Sequence, residues 1–177
     1  LAFFYLITKQ QHTMKNLLFV SALALFTFTN ALSQNRALPN VFLKTLDNAT
    51  ISSSEFDNDG QPIIISFWAT WCKPCIKELS NIAEVYEDWQ DETGVKVIAI
   101  SIDDARNMSK VKPKVNALLW DYEVYCDPNG DLKRAMGVGS VPHTFLLNEN
   151  KEIVYQHTGY KDGDEYDLFK KIEALSK

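Results

Sequence analysis

The run Pro62-Ile63-Ile64-Ile65-Ser66-Phe67-Trp68 reads as a strand buried on both faces, and two thiols spaced three apart, Cys72 and Cys75, follow almost at once. Beyond them Cys75, Ile76, Leu79, Ile82, Ala83, Tyr86 and Trp89 recur at three- or four-residue steps. That spacing predicts a helix reaching to about Gln90, with one apolar face pressed against the strand's sheet. A buried strand that passes straight into a covering helix commits the chain to helices layered on a buried sheet.

The junction also sets the chemistry. Cys72 falls near the helix N-terminus, where partial positive charge and unpaired amides favour thiolate over thiol and can lower a cysteine pKa from about 8.5 into the 3.5 to 7.5 range. Cys72 is therefore the expected nucleophile. Residues at i and i+3 share a helix face, so Cys75 comes within the roughly 5.5 Å Cα separation that a disulfide needs, and it is the expected resolving thiol. Pro74 fits the first turn, where a missing N–H is no loss, and stiffens the loop. Lys73 adds positive charge beside the sulfurs, a modest aid to the thiolate. Glu78 lies one turn past Cys75 on the same side and is placed to move protons as the thiols titrate; a solvated helix glutamate is the plainer reading. Trp71 is expected at the rim of the site and Trp68 in the core, with substrate contact the alternative role for each.

On Phe67-Trp68-Ala69-Thr70-Trp71-Cys72-Lys73-Pro74-Cys75, on Gly139-Ser140-Val141-Pro142-His143-Thr144-Phe145-Leu146-Leu147 and on Gly159, the chain resembles the thioredoxin superfamily, in particular its exported TlpA/ResA-like thiol:disulfide oxidoreductases. The resemblance covers nearly everything after residue 37. It implies a thioredoxin-like α/β fold: a central mixed sheet flanked by helices, with an extra N-terminal strand or hairpin and a helix-strand insertion near 104–126. It also implies a cis bond before Pro142, facing the cysteines, with the Val141 backbone presented to an incoming peptide strand. The pattern CxxCxxE, matched by Cys72, Cys75 and Glu78, strengthens the proton-handling role of Glu78. Thioredoxin's buried aspartate, six residues before its first cysteine, is replaced by Ser66, and the proline this subgroup tends to carry two residues after the glutamate is replaced by Ser80.

Local patterns extend the outline. Strands are expected near Val41 to Leu46, Val95 to Ile102, Glu123 to Cys126, Thr144 to Asn148 and Glu152 to His157, and helices near Ala105 to Leu118, Asp131 to Met136 and Asp164 to Leu175.

The N-terminal segment bears on location. Met14-Lys15-Asn16 opens an almost wholly apolar stretch from Leu17 to Phe28, about a dozen residues and short of the roughly 20 needed to span a bilayer. Small residues at Ala31-Leu32-Ser33 complete the pattern of a secretory signal peptide, with initiation expected at Met14, cleavage after Ser33, and an uncleaved membrane anchor as the alternative. Residues 34–177 would then form one thioredoxin-like domain of 144 residues with 16 basic and 23 acidic side chains, a net charge of −7. That balance argues against nucleic acid and anionic membrane surfaces as partners.

Cys126, the odd thiol, ends a short apolar strand, where a free cysteine behaves as a small buried hydrophobe. His143 and His157 fall on strands, where a lone histidine is more often packing or surface than ligand. A tetrahedral zinc or Cu(I) site drawn from Cys72, Cys75, Cys126 and His143 is the competing class of function, but structural zinc usually draws on paired ligand motifs and only one pair is present. The PxxxTxxC loop of peroxiredoxins is absent.

The expectation is thus an exported, periplasmic or otherwise extracytoplasmic thiol:disulfide oxidoreductase, monomeric and without a cofactor beyond its own Cys72–Cys75 disulfide. It would reduce protein disulfides and be recharged by an electron donor in the membrane. Apocytochrome c thiols and general cell-envelope disulfides are its candidate substrates, and a dithiol oxidant that introduces disulfides is the opposite direction of the same chemistry.

Overall fold

Strand β3, Ile63–Trp68, lies inside the sheet with all six residues buried, so this largely apolar run does lie between two covered faces. The structure, a computed structural model, describes residues 36–176. The expected signal peptide, with its start at Met14 and cleavage after Ser33, lies outside the described residues.

Around β3 the chain builds a seven-stranded mixed sheet. An N-terminal hairpin, β1 (Phe42–Thr45) and β2 (Thr50–Ser52), is followed by β3, helix α1 (Lys73–Thr93) and β4 (Lys96–Ser101). A 3-10 turn and helix α2 (Val111–Leu118) lead to β5 (Glu123–Cys126), and a short helix α3 (Asp131–Ala135) to the antiparallel pair β6 (His143–Leu147) and β7 (Ile153–Thr158). Helix α4 (Asp164–Glu173) closes the described chain. The order across the sheet is β2-β1-β5-β4-β3-β6-β7, with β3, β4 and β5 parallel and the other pairings antiparallel.

The expected extra hairpin and the helix-strand insertion are both present, and they pair with each other, since β5 lies between β1 and β4. Helix α1 runs three residues past the expected end. Thr93 Oγ1 donates to the Trp89 carbonyl at 2.6 Å, and Gly94, at φ 68°, takes the left-handed turn that closes the last carbonyls. The segment 105–110 is turn and 3-10 helix rather than α-helix, because Asp104 Oδ1 accepts the amides of Arg106 and Asn107 and offers that backbone a turn instead.

Two apolar clusters fill the faces of the sheet. One lies under α1 and α4 and includes Trp68, Leu79, Ile82, Tyr86, Trp89 and both site cysteines; the other gathers Leu43, Phe56, Phe67, Ile100, Met136 and Phe145. Trp120, from the insertion, packs edge-to-face on Trp68 at 4.9 Å between ring centroids and donates its indole N–H to Ser80 Oγ on α1 at 3.2 Å. Ser80 therefore anchors the insertion to the redox helix. Among the described residues, no helix is long and apolar enough to cross a membrane.

Candidate active site

Cys72 is the N-cap of α1, and its sulfur accepts the Cys75 amide at 3.3 Å. The same amide and the dipole of a 21-residue helix would stabilise negative charge on that sulfur once the pair is reduced. Pro74 occupies the first turn, where its lack of an N–H removes no helical bond. The two cysteines are joined in a disulfide, with their Cα atoms 5.3 Å apart. Cys72 is 4 % exposed and Cys75 fully buried, so only Cys72 can be met from outside. Trp71 is 65 % exposed beside it, whereas Trp68 is fully buried; Lys73 and Pro74 are exposed.

The loop that carries the cysteines is tied to the end of β4. Asp103, buried at the exit of that strand, accepts the Thr70 amide at 2.8 Å on Oδ2 and the Thr70 hydroxyl at 2.7 Å on Oδ1, and Ser101 Oγ donates to Oδ2 at 2.8 Å. Nothing in the local sequence marks Asp103 as a partner of Thr70, 33 residues away. Only the parallel register, with Trp68 opposite Ser101, brings the two strand ends together.

On the other side of β3 lies β6. Its antiparallel register pairs Phe67 with His143, so the residues just before His143 continue alongside the exit of β3 toward the redox loop. The Val141–Pro142 peptide bond there is cis, Pro142 is buried, and half-buried Val141 packs against the cluster containing both cysteines.

Glu78 is a buried carboxylate on α1, with its side chain 2 % exposed. Side chains on a helix lean toward its N-terminus, which aims this carboxyl back along the face that carries Cys75. Oε1 accepts from Thr144 Oγ1 at 2.8 Å and lies 3.1 Å from His157 Nε2, while Oε2 has no hydrogen-bond partner. Thr144 Oγ1 also lies 3.1 Å from Ser66 Oγ, in the position where thioredoxin carries its aspartate. Ser66, Thr144 and His157 are register partners across β3, β6 and β7, a polar row facing Glu78 of α1. The sequence reading took His157 as packing or surface, and the structure gives it a carboxylate instead. Ser66, alone among apolar residues in β3, was the available signal, and it becomes meaningful only when the register places Thr144 and His157 beside it.

The other groups stand apart. His143 stacks on Phe145 at 4.4 Å and its Nε2 lies 3.3 Å from Gln156 Oε1; burial holds its pKa below the ordinary value. Cys126 is a free, buried thiol whose pKa burial pushes up to about 11, with the nearby Asp103 charge adding to the effect, so it is not an activated nucleophile. It borders a groove of about 630 Å³, lined also by Leu46, Met108, Lys112 and Asn116, that shares no residue with the Cys72–Cys75 site. Among the described residues no three or more His, Cys, Asp or Glu side chains gather in an arrangement that could hold a metal ion.

Comparison with known proteins places the chain among thiol-disulfide oxidoreductases. The profile of the AhpC/TSA family matches residues 35–156. The sporulation thiol-disulfide oxidoreductase A of Bacillus subtilis is 34% identical over 119 residues, which are 66% of this chain and 70% of that protein. The thiol-disulfide oxidoreductase ResA of Bacillus anthracis is 32% identical over 121 residues, 68% of this chain and 67% of its own. Among solved structures, a thioredoxin-like protein of Porphyromonas gingivalis superposes with a TM-score of 0.71 at 52% identity, covering 78% of this chain and 91% of that one.

Proposed function

The chain belongs to the AhpC/TSA family and is a thiol-disulfide oxidoreductase of the ResA and StoA type, and from that premise we propose that it is an exported reductase of protein disulfides working through Cys72 and Cys75. The observation that carries the proposal is the Cys72 sulfur at the cap of α1, accepting the Cys75 amide while keeping the only exposure of the pair.

In the reduced enzyme the Cys72 thiolate attacks one sulfur of a substrate disulfide; the other substrate sulfur leaves as a thiolate and a mixed disulfide remains. The Cys75 thiol then gives its proton to Glu78, and its sulfur attacks Cys72. The substrate sulfur departs with the electron pair, and the Cys72–Cys75 disulfide is left behind. Two electrons have passed to the substrate, and a donor in the membrane returns them. Substrate is held by the exposed Trp71 indole and by the Val141 backbone ahead of Pro142, along which an extended segment of the partner can lie. Lys73 and Pro74 tune the pair through charge and loop stiffness.

The protein acts outside the cytoplasm, on apocytochrome c thiols or on envelope disulfides more broadly. This location accords with the signal-like segment of residues 14–33. The test is the reduction potential of the Cys72/Cys75 pair in the purified protein, equilibrated against glutathione or dithiothreitol buffers. A value near about −270 mV or below is expected for a reductase, and one near about −120 mV would make the protein an oxidant instead.

A further inference from the structure

The two oxygens of Glu78 are in different circumstances. Oε1 meets both Thr144 Oγ1 and His157 Nε2, and Oε2 is buried without a partner. Buried polar atoms are nearly always paired, so an open acceptor three residues along the same helix from a redox-active cysteine is a place where a proton can arrive and leave. An ionised carboxylate only accepts, which requires His157 to carry its proton on Nε2 when Glu78 is charged. His157 lies on β7, one of the two edge strands of the sheet, and its side chain is 17 % exposed, so one ring touches both the buried carboxylate and solvent.

We propose that His157 is a positioning residue of the redox site: its Nε2–H, donated to Glu78 Oε1, holds the carboxylate with Oε2 open to the Cys75 proton and links that buried charge to the acidity of the surroundings. The inference rests on the proposed role of Glu78. Thr144 also donates to Oε1 but cannot change its charge. An imidazole can, and as imidazolium it favours the ionised carboxylate. When Cys75 gives up its proton, Oε2 gains it and the Nε2–H bond to Oε1 stays in place, so the bookkeeping needs no second carrier at the moment of transfer.

Other titratable groups feel these charges: Tyr122, whose hydroxyl donates to the Leu79 carbonyl of α1, feels Glu78, and His143 does so from the opposite face of β6. His143 on β6 feels both His157 and Glu78, as well as Arg36. Tyr155 neighbours His157 on β7 at 5.8 Å between ring centroids and lies beneath the Lys171 ammonium of α4. An inflection caused by any of these would survive a change at position 157.

The experiment follows the resolving step, the release of the second substrate thiol from the mixed disulfide, in single turnover from pH 5 to 9. It compares the native protein with His157→Phe, His157→Gln, Glu78→Gln and the double variant His157→Phe/Glu78→Gln. Loss of a donor to a buried carboxylate is expected to slow this step about tenfold in His157→Phe. His157→Gln keeps an N–H donor and should recover most of the rate while losing the inflection due to the imidazole. The double variant should be no slower than Glu78→Gln alone. A native profile in His157→Phe, or effects that multiply in the double variant, with Glu78→Gln slow, overturns the inference and leaves the role of Glu78 standing. A native rate in Glu78→Gln overturns both. If His157→Phe does not fold, persistence of the inflection in His157→Gln is the overturning result and its loss the supporting one.

Discussion

Asp103 shows how one side chain can govern a site it never enters. Its two oxygens receive the amide and the hydroxyl of Thr70, two residues before Cys72, and the carboxylate is almost fully enclosed. Asp103→Ala would leave both Thr70 groups without their acceptor and should cost about 1–3 kcal/mol of stability. Urea unfolding should show a lower midpoint at an unchanged slope, and an unaltered midpoint would mean that the loop is held by something else. The parts of the site that lie close together in the chain, Cys72, Pro74, Cys75 and Glu78, could be read from spacing because a helix repeats its faces every three or four residues. Asp103, Thr144 and His157 could not be, since their meaning depends on which strands adjoin and in what register.

Helix α1 is the element on which the site depends, and its two ends are made differently. The first end is capped by a reactive sulfur; the second is stopped by Gly94 at φ 68°, where an added Cβ would sit 3.0 Å from Gln61 Cγ. Gly94→Ala should therefore lose about 1–2 kcal/mol from the left-handed backbone, with the Gln61 contact adding to it. Thermal unfolding would register this as a lower Tm, and no change would show that the helix end relaxes freely. The element order was largely open to sequence reading, because β3, β4 and β6 are apolar runs and α1 has a regular apolar stripe. The three-residue strand β2 was foreseen only as part of a hairpin. With the short, polar-rich sequence Thr50–Ser52, it is held by its pairing with β1 and by the Ser52–Glu55 capping bonds that follow it.

Across the whole molecule, burial of titratable groups sets a window of acidity. His143 has its pKa lowered by burial from 6.5, so the folded state binds its proton less readily than the unfolded chain. Its contribution is complete above about 6.5 and is lost as the pH falls through the lowered value. Cys126 is raised from 9.0 to about 11 and Tyr125 from 10.0 to about 12, in each case chiefly by burial. Their contributions are complete below the ordinary values and are lost as the pH rises through the raised ones. Stability should therefore be greatest between about pH 6.5 and 9 and decline on both sides. A Tm series across pH checks this, and a maximum outside that window would count against it. The exposed carboxylates Asp104 and Asp167, both lowered from 3.8, act only at lower pH. The near-complete enclosure of the cysteine pair has a kinetic side as well. A sulfur with so little surface can reach a disulfide along one line, which an extended chain lying beside Val141 presents and a tumbling small disulfide rarely does. The pair can thus keep its electrons among abundant small disulfides through slowness of encounter, whatever its potential.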